Sequence, residues 1–154
     1  EGGLPMDAEV VMRSMPRIEF DPRIVHVAVG GTVTWRLESG SHDTTAYHPD
    51  TKPPCRMPCD AEPWASPSMS QVGDTFSWTF EQPGVYDYLD TKAVCTEHVI
   101  IGAVGRVVVG WPDPEGQPGL APPQDELPGL VQSNFEDYNE RTREMLAAGP
   151  SGGD

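Results

Sequence analysis

Ile24-Val25-His26-Val27-Ala28-Val29-Gly30-Gly31-Thr32-Val33-Thr34-Trp35-Arg36-Leu37 alternates twice, with a diglycine between the halves. In the first half Val25, Val27 and Val29 share one face, and Ile24, His26 and Ala28 the other. In the second, Val33, Trp35 and Leu37 face away from Thr32, Thr34 and Arg36. A period of two in β-branched and aromatic residues is the pattern of half-buried strands, and Gly30-Gly31 supplies a turn. Phe76, Trp78 and Phe80 repeat it against Thr75, Ser77 and Thr79. Further strands are expected at 9–13, 85–88 and 106–109. About seven short strands within residues 9–110 is the size of an all-β, two-sheet sandwich.

Composition agrees with that class. The 154 residues include 16 glycines and 17 prolines, and only 37% are hydrophobic, which argues against a helical bundle or a doubly wound domain. Asp and Glu number 24 against 10 Lys and Arg, a formal charge of −14. Such a surface repels phosphate backbones and anionic bilayers, excluding a nucleic-acid partner and a basic membrane patch. The cations are eight arginines and only two lysines, Lys52 and Lys92. An acid-rich, lysine-poor surface stays hydrated in concentrated salt, where screening removes most of its self-repulsion. The sequence offers neither the roughly 20-residue apolar run of a membrane span nor a signal-peptide pattern. Because it begins at Glu1, a removed N-terminal leader or anchor is left open.

The expected organisation is a tail at 1–8, a sandwich at 9–110, a Pro/Gly-rich linker at 111–126, an amphipathic helix at 127–148 and a tail at 149–154. Six prolines between 44 and 72 preclude a run of central strands there. Trp64, Met57 and Met69 favour an ordered loop, since disorder would expose them. Leu127, Leu130, Val131, Phe135, Tyr138, Met145 and Leu146 recur near helical spacing, with charges between them, and Gly149-Pro150 ends the helix.

The chemistry gathers in one segment. Cys95 and His98 stand three apart just before the last strand, so both can reach one metal from a tight loop. A second imidazole must come from elsewhere, and His42, after the Trp35 strand, is the natural donor. One thiolate with two imidazoles suits copper, which accepts soft sulfur and borderline nitrogen together. A lone Cys-x-x-His is a weak signal, because a buried cysteine is more often a small hydrophobe. The joint pattern strengthens it: a His after a Val-Thr-Trp strand, then Gly-Val-Tyr-Asp-Tyr, Cys-x-x-His and a Gly-x-Val-Gly strand.

Val33-Thr34-Trp35, Ser41-His42, Pro83-Gly84-Val85-Tyr86-Asp87-Tyr88, Cys95-Thr96-Glu97-His98 and the Gly102–Val109 strand together resemble the cupredoxins, specifically their plastocyanin and halocyanin branch, over about residues 9–110. The resemblance implies a Greek-key β-sandwich holding one type 1 copper and shuttling single electrons, with His42, Cys95 and His98 as equatorial ligands. It implies no catalytic residues. The chain departs from the family twice. Where the family usually has the weak axial Met, this sequence has Ala103, whose methyl cannot coordinate. The run Leu89-Asp90-Thr91-Lys92-Ala93-Val94 also separates the Tyr strand from Cys95, and makes Asp90 the best replacement oxygen, with Glu97 a second. An empty or backbone-filled axial position is favoured; a carboxylate-ligated red-copper site, an open site with small-molecule chemistry and a metal-free interaction module are the alternatives.

His48 lies six residues beyond His42 and competes with it as ligand, whereas His26 reads as a solvent-facing strand residue. Cys55 and Cys59 flank Arg-Met-Pro and are expected to form a bridge pinning the loop, in preference to a dinuclear copper centre. Met57 and Met69 either approach the metal or cover the sandwich edge. The expected protein is a monomeric, extracytoplasmic electron carrier whose partner is a membrane-bound or soluble redox protein.

Overall fold

The computed structural model describes residues 3–15, 17–91 and 103–149. Eight strands form among them: β1 (Asp7–Arg13), β2 (Glu19–Asp21), β3 (Ile24–Val27), β4 (Thr32–Leu37), β5 (Thr45–Ala46), β6 (Thr75–Thr79), β7 (Gly84–Leu89) and β8 (Val104–Val109). They make two four-stranded sheets, ordered β2-β1-β4-β6 and β3-β8-β7-β5. The turn at Gly30-Gly31 therefore carries the chain from one sheet to the other, where Gly30 takes a φ of +87° that other residues rarely adopt. β1 runs parallel to β4 and β3 parallel to β8, while the remaining pairs are antiparallel.

The alternation that reveals β4 follows from its one-sided burial. Val33, Trp35 and Leu37 are buried, and Thr32, Thr34 and Arg36 are partly exposed. Aromatic rings fill the space between the sheets, with Trp35 5.6 Å from Trp64 and 5.2 Å from Tyr88. The proline-rich loop is ordered because it contributes to this core: Trp64, Met57 and Met69 are all buried. Gly105 stands opposite Tyr88 in the β7–β8 ladder, and a Cβ there would collide with the tyrosine ring.

β7 and β8 are buried on both faces. Their outer face is covered by the C-terminal segment, which forms a 3₁₀ turn (Pro118–Leu120) and helix α1 (Gly129–Ala148). Val131, Phe135 and Tyr138 of α1 join the hydrophobic core, with Leu127 just before them. The Tyr138 hydroxyl donates to the Val104 carbonyl at 2.9 Å. Burial pushes its pKa up to about 12 and raises those of Tyr88 and Tyr86 as well. The fold keeps these phenols neutral, and the contribution of Tyr138 is complete below pH 10 and is lost as pH rises through about 12. Alkaline titration should show phenolate absorption and loss of near-ultraviolet dichroism in one transition in that window. Ionisation of Tyr138 near pH 10 with the fold intact would contradict this.

Cys55 and Cys59 form the expected disulfide. Closing so short a loop contributes about 2 kcal/mol in the chain-entropy account. Unfolded, metal-free protein should titrate one free thiol before reduction and three after it, since the sequence has three cysteines. Three free thiols without reductant would contradict the bridge.

Candidate metal centre

Strand directions bring four chain segments to one end of the sandwich. β1 and β4 are parallel, so Ser14, after β1, and residues 38–42, after β4, leave at the same end. Leu89 pairs with Val104, so Asp90 and Ala103 flank the point where the chain leaves and re-enters the second sheet, and Asp90 N–H donates to the Ala103 carbonyl at 3.0 Å.

His42 links the two sheets across this end. Its Nδ1 lies 2.5 Å from Asp90 Oδ2, and its Nε2 lies 3.0 Å from Ser14 Oγ. A carboxylate only accepts, so Nδ1 donates to Asp90, while Nε2 shares a hydrogen bond with the Ser14 hydroxyl. His42 is 3% exposed and Asp90 1%. The backbone around the ring is fixed residue by residue. His42 exchanges both backbone hydrogen bonds with Met69. Asp43 N–H donates to Asp90 Oδ1 at 3.2 Å, while the Asp43 carboxylate accepts from Thr91 N–H at 2.9 Å and from the Thr91 hydroxyl. Thr44 takes the Trp64 indole N–H on its hydroxyl at 3.0 Å. An imidazole so anchored loses little further entropy on binding a ligand.

Both nitrogens of His48 are engaged inside the loop, Nε2 with the Cys59 carbonyl at 3.0 Å and Nδ1 with Asp50 N–H at 3.1 Å, as both of His42 are with Asp90 and Ser14, so hydrogen bonding alone does not choose between the two. His26 donates to the Gly110 carbonyl at 2.7 Å and meets the edge of Trp111. Met57 and Met69 are buried core residues, and Met69 stands directly opposite His42 in its bridge. Ala103 is buried and offers a methyl group. Cys95, His98 and Glu97 lie outside the described residues. Among the described residues no group of three metal-binding side chains assembles, so this part of the site supplies one imidazole with a carboxylate beside it. A mixed imidazole, thiolate and carboxylate donor set is chemically suited to copper. Ser14, 28 residues before His42, had no signal in the sequence.

No family model matches the chain. It is 35% identical over 92 residues to a halocyanin from Natronomonas pharaonis, an alignment covering 58% of this chain. The match spans about half of that relative, 47% of its length. Among solved structures, a pseudoazurin from Sinorhizobium superposes with a TM-score of 0.63 at 21% identity, covering 88% of this chain and 95% of that one. A pseudoazurin from Methylobacterium extorquens AM1 gives the same TM-score at 18% identity, covering 88% and 98%. At these identities the superpositions establish the shared β-sandwich fold.

Proposed function

We propose that this chain is a cupredoxin and carries single electrons by means of one copper ion held between His42, Cys95 and His98. The observation that carries the reading is the buried, doubly hydrogen-bonded His42 at the end of the sandwich where β7 ends and β8 begins. Copper, when bound, supplies a one-electron couple between Cu(I) and Cu(II). The chain's part is to hold His42 in one orientation from both sheets, exclude water from its ring and bring Cys95 and His98 to the same end. That rigidity suits electron transfer, because a fixed donor set changes little between oxidation states. The sandwich at 9–110 is the working unit in this reading, and 111–148 its cover.

A second reading is favoured by Asp90. Its carboxylate is buried against the His42 ring, on the residue that faces Ala103 across the strand ends, so an anionic oxygen can enter the donor set where the thioether is missing. The Cys55–Cys59 disulfide supports an extracytoplasmic location, where such bonds persist. Among the described residues no helix is long and apolar enough to cross a membrane. A redox protein as partner and a monomeric carrier complete the proposal.

The test is the absorption spectrum of Cu(II)-loaded protein read beside its metal content. Stoichiometric copper with an intense visible band is expected, and Cys95→Ser should abolish the band while leaving the far-ultraviolet dichroism intact. A full-strength band in Cys95→Ser, or no copper uptake by the native chain, would refute the assignment.

A further inference from the structure

The end of the sandwich opposite His42 holds a cavity with a chemistry of its own. Thr79 pairs with Thr32 and Gly84 with Val109, so the turn between β6 and β7 lies where β4 begins and β8 ends. There a cavity of about 240 Å³ opens between that turn and the residues that follow the Cys55–Cys59 bridge. Trp78, Phe80 and Tyr86 give it aromatic walls, and Asp60, Glu62 and Glu81 stand around them. The Phe80 and Tyr86 rings are buried, 5.0 Å apart and inclined at 71°, which makes a corner, and Trp78 is half-buried beside them. The three acidic residues are exposed at the rim.

The walls are tied to one another. The Tyr86 hydroxyl donates to the Gln82 carbonyl at 2.6 Å, the Gln82 side-chain amide donates to Asp60 Oδ1 at 3.1 Å, and Ala61 N–H donates to the Pro58 carbonyl at 3.0 Å. A ligand therefore meets a shape that is already formed, and ordering it costs little. Burial first, and the Asp60 charge second, raise the Tyr86 pKa, so the field of that carboxylate reaches the ring. Three carboxylates repel an anion, and a neutral apolar body would cover them without balancing their charge. A metal cation or a bare ammonium holds its water strongly and gains little from aromatic walls. A methylated ammonium meets both demands, since its charge is attracted to the ring quadrupoles and its methyl groups cover apolar surface. We propose that this cavity binds a small organic cation through a quaternary ammonium head, its methyl groups against Trp78, Phe80 and Tyr86 and its charge balanced by Asp60, Glu62 and Glu81. The cavity lies far from His42, so copper does not enter its test.

The experiment is a nuclear magnetic resonance titration of the nitrogen-labelled full chain with choline chloride. Dimethylbutanol, which has the shape of choline without its charge, and sodium chloride at equal ionic strength are the controls. Choline should shift the Trp78 indole and the amides of Thr79, Phe80, Glu81 and Tyr86 along a saturating curve that neither control reproduces. Trp78→Leu should weaken binding by about threefold to thirtyfold, the range of one cation–π contact. Replacing Glu62 and Glu81 together by Gln should weaken it by about threefold. Both glutamates are exposed, so this second variant keeps the fold and decides the matter even if Trp78→Leu disturbs the β6 edge. Equal binding of dimethylbutanol, shifts that sodium chloride reproduces, or undiminished affinity in the double glutamine variant would overturn the proposal.

Discussion

Asp87→Ala should destabilise the protein by about 3–5 kcal/mol, enough to lower its thermal midpoint by roughly 10 °C or more. Asp87 sits in β7 with its side chain fully buried, between two equally buried guanidiniums. Its carboxylate accepts from Arg56 Nε at 2.9 Å, from Arg106 Nε at 2.7 Å and from Arg106 Nη2 at 3.0 Å. Two cations share one anion, and the surplus charge is solvated by the C-terminal segment. The Gly119 carbonyl accepts from both arginines, Asn139 Oδ1 and the Thr142 hydroxyl accept from Arg106, and the Phe135 ring lies 4.5 Å beneath the Arg56 guanidinium. Removing the carboxylate leaves two desolvated cations facing each other, which is why the single truncation costs far more than a surface ion pair. Replacing all three residues by apolar ones of similar size should cost less than Asp87→Ala alone, because no charge is then stranded. Urea denaturation of both variants checks this. A loss below about 1 kcal/mol in Asp87→Ala would mean that water reaches the cluster and that the helix is loosely held.

That cluster also shows where the sequence stops being legible. β4 and β6 are readable because one face of each meets solvent, so hydrophobic and polar residues alternate. In β7 and β8 that alternation fails: Asp87 shares its face with Val85 and Leu89, and Arg106 shares its face with Val104 and Val108, so each charge stands among apolar neighbours. The structure covers that face with residues 118–142, and the two side chains become a buried contact between sheet and helix. The apolar neighbours mark a covered face, but nothing local says that a distant helix supplies the cover. β2 and β5 escape notice for another reason: at three and two residues they are too short to establish a period. Of the residues that meet at the candidate site, His42 was singled out by its place after the Trp35 strand and Asp90 by its place in the insertion 89–94. Ser14 was not, since its contact with His42 depends on β1 and β4 being parallel, and parallel pairing leaves no mark in short-range sequence.

Asp90→Ala should weaken Cu(II) binding by about tenfold to a hundredfold and raise the reduction potential. Two routes lead to the same sign. As an oxygen ligand in place of the missing thioether, the carboxylate stabilises the more highly charged Cu(II) over Cu(I). As the partner of His42 Nδ1, it orients the ring and adds negative charge beside it, which again favours Cu(II). If a tenfold loss falls on Cu(II) alone, the potential rises by about 59 mV, the one-electron equivalent of a factor of ten. The visible spectrum separates the routes. A direct ligand shifts and rescales the thiolate band when removed, whereas an orienting carboxylate leaves the band in place and lowers only affinity. Ala103→Met gives the complementary reading: a thioether competing with the Asp90 carboxylate favours Cu(I), so the native potential should lie below that of the variant. Ala103 is buried, so the added side chain must be accommodated, and dichroism of the copper-free variant verifies that it is. A potential that is unchanged or lowered in Asp90→Ala, together with a native value above that of Ala103→Met, would assign the axial position to no donor at all and leave Asp90 as a purely structural contact between His42 and Asp43.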